Sequence, residues 1–187
     1  MRYLHIPGVS AKAHFETEGD LLFRYRLDIK KIGCSSSPKT ACVIMQNPSY
    51  ADEDIADKSV QFMEKNVFER GLPEFYDVQR LLVVNQFARV QTNGFLGLST
   101  DIGSKNNLAI ETAINESEII IIGWGSTNPF EERKRFVLDQ LAKLSNKILY
   151  KTSSHPSRGK YAGFIMPYHF YPSGQAAPHS AGRLPWP

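Results

Sequence analysis

Only Cys34 and Cys42 occur in the 187 residues, too few for a disulfide framework, a four-cysteine zinc site or an iron–sulfur cluster. Both are expected to be reduced thiols, Cys42 as a core residue of a strand. No stretch approaches the roughly 18 apolar residues of a membrane span, and Met1 to Pro7 lacks an apolar signal region. The chain therefore reads as cytoplasmic, with no membrane partner. A glycine-rich phosphate loop, a Gly-x-Ser-x-Gly elbow, a metal-ligand spacing and a carboxylate pair suited to acid–base work are also missing. No cofactor and no metal are expected.

Acidic residues stop at Asp139, while Lys143, Lys147, Lys151, Arg158, Lys160 and Arg183 continue the basic series. The tail is thus +6 and the preceding part −3, although the net charge is only +3. Such asymmetry suits a surface that meets a polyanion, and it equally suits a solvated basic tail.

What is present is a set of short apolar runs that each end on a polar group. Thr40 to Met45 stops on Gln46-Asn47-Pro48-Ser49, where Pro48 removes a ladder donor and restricts the residue before it. Leu81 to Val84 ends on Asn85, and Ile119 to Ile122 ends on Gly123-Trp124-Gly125. Lys147 to Lys151 runs into His155-Pro156-Ser157. Continuous β-branched and aliphatic runs suit parallel strands covered on both faces. If the four are parallel, their polar ends share one sheet edge, where ligands bind in open α/β sheets.

Between the runs, Ala51 to Arg70 predicts a helix with acidic residues at its start, Val60, Met63 and Val67 on one face and Gly71 as its stop. A second helix is expected around Asn106 to Asn115, with Leu108, Ala109, Ala113 and also Ile110 as candidates for its inward face. A third begins at Asn128-Pro129-Phe130-Glu131, which resembles a capping box, and ends near Ser145. Leu21 to Ile32 alternates as a half-exposed strand of an edge hairpin leading into the first buried strand. The loop from Gln91 to Ser104 is long enough to suggest a functional segment. The expected fold is a single α/β domain over 1–187, a three-layer sandwich with a central, mostly parallel four-stranded sheet plus an edge hairpin. Residues 1–20 and 170–187 are expected to be peripheral.

The strand-end inventory is amides, hydroxyls and one imidazole. Such groups read a heteroaromatic edge by donors and acceptors, or hold a water and stabilise a developing anion. Each also has an ordinary structural use: Asn-Pro starts turns, Asn85 can cap one, and Trp124 can be core or pocket wall.

The order of these motifs resembles the uracil-DNA glycosylase superfamily. There, a first strand ends in an element that positions the attacking water, a second in an asparagine that reads the flipped base, and a third in an aliphatic-Trp-Gly segment. A His-Pro-Ser element follows the fourth. That resemblance implies a base-recognising protein resembling a DNA glycosylase, acting on a modified or damaged pyrimidine in a nucleic acid, DNA more than RNA. It implies Asn47 and His155 as catalytic groups, and Gln46, Ser49, Asn85, Trp124 and Ser157 as base-binding groups. Arg158, Lys160 and Tyr161 would meet the nucleic-acid backbone. Asn47 stands where the efficient uracil enzymes carry an aspartate, so hydrolysis should be slow, and the small Ser49 leaves room at ring position five. The alternative is a non-catalytic nucleotide-binding, base-binding or protein-interaction module on the same fold. Over its whole length the chain also resembles domain-of-unknown-function family sixteen-forty-three, through Asn47-Pro48-Ser49-Tyr50-Ala51-Asp52, Val84-Asn85-Gln86-Phe87-Ala88 and His155-Pro156. That family implies no activity.

Overall fold

The computed structural model of the chain describes residues 3–169. The expected peripheral segment 170–187, with Arg183 of the basic tail, lies outside the described residues. The strands are β1 (Tyr3–Leu4), β2 (Val9–Glu18), β3 (Leu21–Lys31), β4 (Lys39–Met45), β5 (Ile55–Ala56), β6 (Val78–Asn85), β7 (Ile119–Ile122), β8 (Ile148–Thr152) and β9 (Ile165–Pro167). The helices are α1 (Lys58–Glu64), α2 (Asn106–Glu116) and α3 (Glu131–Ala142).

The four apolar runs are β4, β6, β7 and β8. They lie side by side in the order β6-β4-β7-β8, all parallel. The sheet they belong to has seven strands and is mixed, with the order β2-β3-β6-β4-β7-β8-β9 and antiparallel pairs at both edges. The expected four-stranded sheet is therefore the centre of a wider one.

The hairpin also differs from expectation. β3 turns back on β2, through Gly19 at φ 59°, a positive φ that glycine adopts without steric cost. On its other side β3 pairs with β6. β2 escapes notice in the sequence because its inward residues are as slight as Ala11 and Ala13, and every second residue is exposed. Being paired on both sides, β3 is not half-exposed: even Arg24 and Asp28 are buried in it.

The period of two divides the sheet's core. Ala41, Val43, Met45, Val83 and Ile121 pack against Val60, Met63 and Val67 after and within α1. Cys42, Ile44, Val84, Ile120 and Ile122 pack against Ile110, Ala113 and Ile114 of α2 and Val137 and Leu141 of α3. Each fully buried aliphatic side chain contributes about 1.5–3 kcal/mol relative to exposure, so the four isoleucines of β7, at most 2% exposed, anchor the middle of the fold. Burial pushes the Cys42 thiol up to about 12, which leaves it an inert core group.

The helices are shorter or rotated relative to expectation. α1 begins at Lys58, because Asp52 holds a local turn through Asp54 N and Ile55 N, and Asp57 caps the helix at Val60 N, 2.8 Å away. A wider helical turn over Lys65–Glu69 follows, and Gly71 at φ 61° ends it. In α2 the inward series is Asn106, Ile110, Ala113 and Ile114, which leaves Leu108 66% exposed. α3 starts at Glu131 without a capping box, since Glu131 pairs with Lys134. Asn128 accepts from Phe130 N and turns its amide into the protein.

Candidate functional site

Because β4, β6, β7 and β8 are parallel, Asn47, Asn85, Trp124 and His155 all come to the carboxyl edge of the sheet. They do not all face one space. A cavity of about 200 Å³ opens on the α1 side, lined by Met45, Asn47, Ser49, Asp57, Lys58, Ser59, Gln91, Thr92 and His155.

Asn47 is fixed by its amide nitrogen, which donates to Gln91 O at 2.6 Å and to Pro48 O at 3.3 Å. Its Oδ1 receives only a long 3.4 Å contact from Gln46 Nε2, so acceptor capacity remains there. Gln91 N in turn donates to Pro48 O, and the long loop after β6 is thereby clamped onto the Asn-Pro element.

His155 caps the short turn Pro156–Arg158. Its Nδ1 accepts from Ser157 N at 3.2 Å and lies 2.9 Å from Ser157 Oγ. A ring nitrogen that accepts from a backbone N–H carries no proton, so the proton of the neutral ring sits on Nε2. Burial lowers the His155 pKa, the charge of Arg158 lowers it further, and Asp57 opposes both. The imidazole is neutral at pH 7, with Nε2–H as a donor that has no protein partner among the described residues. Gly125 makes this placement possible: at φ 84°, a Cβ there would stand 2.7 Å from His155 N.

The remaining expected residues are placed elsewhere. Asn85 is 1% exposed; its Oδ1 accepts from Arg24 Nη2 at 3.4 Å, and Asn106 Nδ2 donates to its carbonyl. Gln46 accepts from Asn128 Nδ2 at 3.3 Å, on the side of α3. Trp124 packs into the core beneath α3. Ser157 serves His155. Arg158 is exposed and reaches Thr127 Oγ1 at 3.3 Å, and Lys160 is exposed. The Tyr161 ring stacks on Phe62 at 4.7 Å, with the Arg70 guanidinium 5.0 Å from its centroid.

Sequence reasoning missed Asp57, Lys58, Ser59, Gln91 and Thr92. Asp57 reads in sequence as one of several acids at a helix start, and it is indeed the cap. The other oxygen of its carboxylate accepts from Ser49 Oγ at 2.8 Å, and only the fold brings that pair to the cavity. Beneath lies Arg24, fully buried, donating to Ala51 O at 2.9 Å. Burial pushes its pKa down to about 10, and Asp57 and Asp52 partly restore it, so it remains a cation at pH 7. Among the described residues no group of three or more His, Cys, Asp or Glu could hold a metal, and no helix is long and apolar enough to cross a membrane.

The geometry is that of an α/β protein with a polar cavity at the carboxyl ends of parallel strands. The chain belongs to the family described as Protein of unknown function (DUF1643), whose model matches residues 24–159. That span runs from Arg24 past His155 and so includes every residue that lines the cavity. No curated protein and no solved structure matches the chain.

Proposed function

We propose that the chain holds a single flipped or single-stranded nucleic-acid base in the α1-side cavity and hydrolyses its N-glycosidic bond, in the manner of a DNA glycosylase. One observation carries this: Asn47 and His155, from motifs more than a hundred residues apart, line the same cavity, and His155 offers it a neutral Nε2–H. At about 200 Å³ the cavity is below the roughly 300–1,000 Å³ of drug-sized sites, which suits one ring system. In the reaction, Asn47 Oδ1 positions the water and His155 donates to the base as negative charge develops on it. Arg158 and Lys160, both exposed beyond His155, supply phosphate contacts, for which affinity should fall steeply with salt. The small Ser49 admits a modified pyrimidine.

The test is incubation with genomic and phage DNA rich in modified bases, with released bases scored by mass spectrometry beside Asn47→Ala. Release that depends on Asn47 supports hydrolysis; its absence refutes it. A non-catalytic base-binding module is the second reading, favoured by the two carbonyl contacts that already occupy the Asn47 amide nitrogen. A thermal shift with free bases or nucleotides and none with oligonucleotides would select it.

A further inference from the structure

The hydrolysis proposed above needs a group to take the proton of the attacking water, and Asn47 cannot: an amide is too weak a base. From the geometry of Ser49 and Asp57 we infer that they form the missing proton relay, with Asp57 as the final acceptor; this rests on the glycosylase reading of the cavity.

Asp57 has been described as the cap of α1, and that use occupies only Oδ1, at 2.8 Å from Val60 N. Oδ2 accepts the Ser49 hydroxyl proton at 2.8 Å. Ser49 Oγ accepts from no described residue, so its lone pairs are left for the cavity, which both residues line with Asn47 and His155. Ser49 follows Pro48, and so its hydroxyl sits two residues from the Asn47 amide that would hold the water. The carboxylate is held in place by its cap bond, and the buried Arg24 guanidinium is near enough to interact with its charge.

The step balances as follows. The C1′–N bond breaks and its electron pair leaves with the base, which His155 Nε2–H stabilises. The water oxygen bonds to C1′. The water proton passes to Ser49 Oγ as the Ser49 proton moves to Asp57 Oδ2. The proton then returns by the same route to the departed base, leaving a neutral base and a sugar hydroxyl.

Asp57→Asn separates this role from the cap, because asparagine caps a helix about as well as aspartate but its amide NH₂ cannot accept the Ser49 proton. On the modified-base DNA described above, Asp57→Asn should lose roughly 100-fold or more in kcat, with KM unchanged; the thermal midpoint should fall, because the buried Arg24 loses a compensating charge, so rates are compared well below it. Ser49→Ala should lose a comparable factor, and the double variant should be no slower than the worse single, as for groups acting as one unit. Wild-type kcat in Asp57→Asn, or losses that multiply in the double variant, would overturn the relay while leaving the glycosylase activity standing. No release by the wild type overturns both.

Discussion

On the α1 side of the sheet, Asn47, Ser49 and His155 line an open cavity, whereas on the α2 and α3 side the polar groups of the same strand ends are sealed in. Gln86 accepts from Asn128 Nδ2 at 2.7 Å, Asn106 Nδ2 donates to the carbonyls of Asn85 and Gln86, and Arg133 Nε donates to Gln86 O at 2.7 Å. Gln86, Asn106 and Asn128 are at most 4% exposed. Both sides are rich in amides, so composition does not distinguish them. What does is access: His155 Nε2 and Asn47 Oδ1 face an open cavity, while Gln86 Nε2 and Asn106 Oδ1 on the opposite side, and Asn85 Nδ2, also lack a partner among the described residues but are buried where no ligand reaches them. Polar residues at strand ends thus have two uses here, and only one of them offers a ligand anything.

The sharpest test of that contrast is to remove the donor that faces the cavity. His155→Ala should cut base release roughly 10²–10³-fold, the usual loss for a donor aimed at developing charge, while the lost cap on Ser157 N should cost only about 0.5–2 kcal/mol of stability. Gly125→Ala should act on both stability and site, since it forces a side chain into φ 84° and against His155 N. A loss of about 1–3 kcal/mol in urea unfolding is expected, with reduced release because His155 is displaced. Asn128→Ala attacks the sealed side and leaves the buried Gln86 Oε1 without its donor; it should destabilise by about 1–3 kcal/mol and leave the release rate within a few-fold of wild type.

The smallest effect concerns pH, where two histidines oppose each other. For His155 the folded pKa lies below the ordinary 6.5, so the unfolded chain binds the proton better. Its contribution is full above about pH 6.5 and is lost as pH falls through the lowered folded value. For His5, burial lowers the pKa, but the side-chain bond to Glu64 and the bond to Asp52 O outweigh it and leave a net rise. That stability is full below the unfolded pKa and is lost as pH rises through the raised folded value. Unfolding measured from pH 5 to 8 should therefore show a weaker acid decline in His155→Ala and a weaker alkaline decline in His5→Ala.

Much of the central sheet was legible because β4, β6, β7 and β8 are unbroken apolar runs with punctuated ends, which announces a two-sided burial. β2 and β9 were not, since edge strands bury little: the inward side of β2 alternates through Val9, Ala11, Ala13 and Phe15, but the two alanines at its centre make that period faint, and none of the four is fully buried. At the site, Asn47, Ser49 and His155 could be named because each sits beside a proline at the end of a strand or in the turn after it. Asp57 could not. Its partner Ser49 is eight residues away across a loop and a short strand, and only the capping of α1 swings the carboxylate round to it. Asn85 marks the reverse failure: its position in sequence matches Asn47, but the Arg24 guanidinium claims its oxygen.

The most direct measurement compares the two sides in one assay: bases released from modified-base DNA by wild type, Asn47→Ala and Asn128→Ala, scored by mass spectrometry. The α1-side cavity as the site predicts release by wild type and Asn128→Ala and none by Asn47→Ala. Equal release by all three, or loss only in Asn128→Ala, would contradict it.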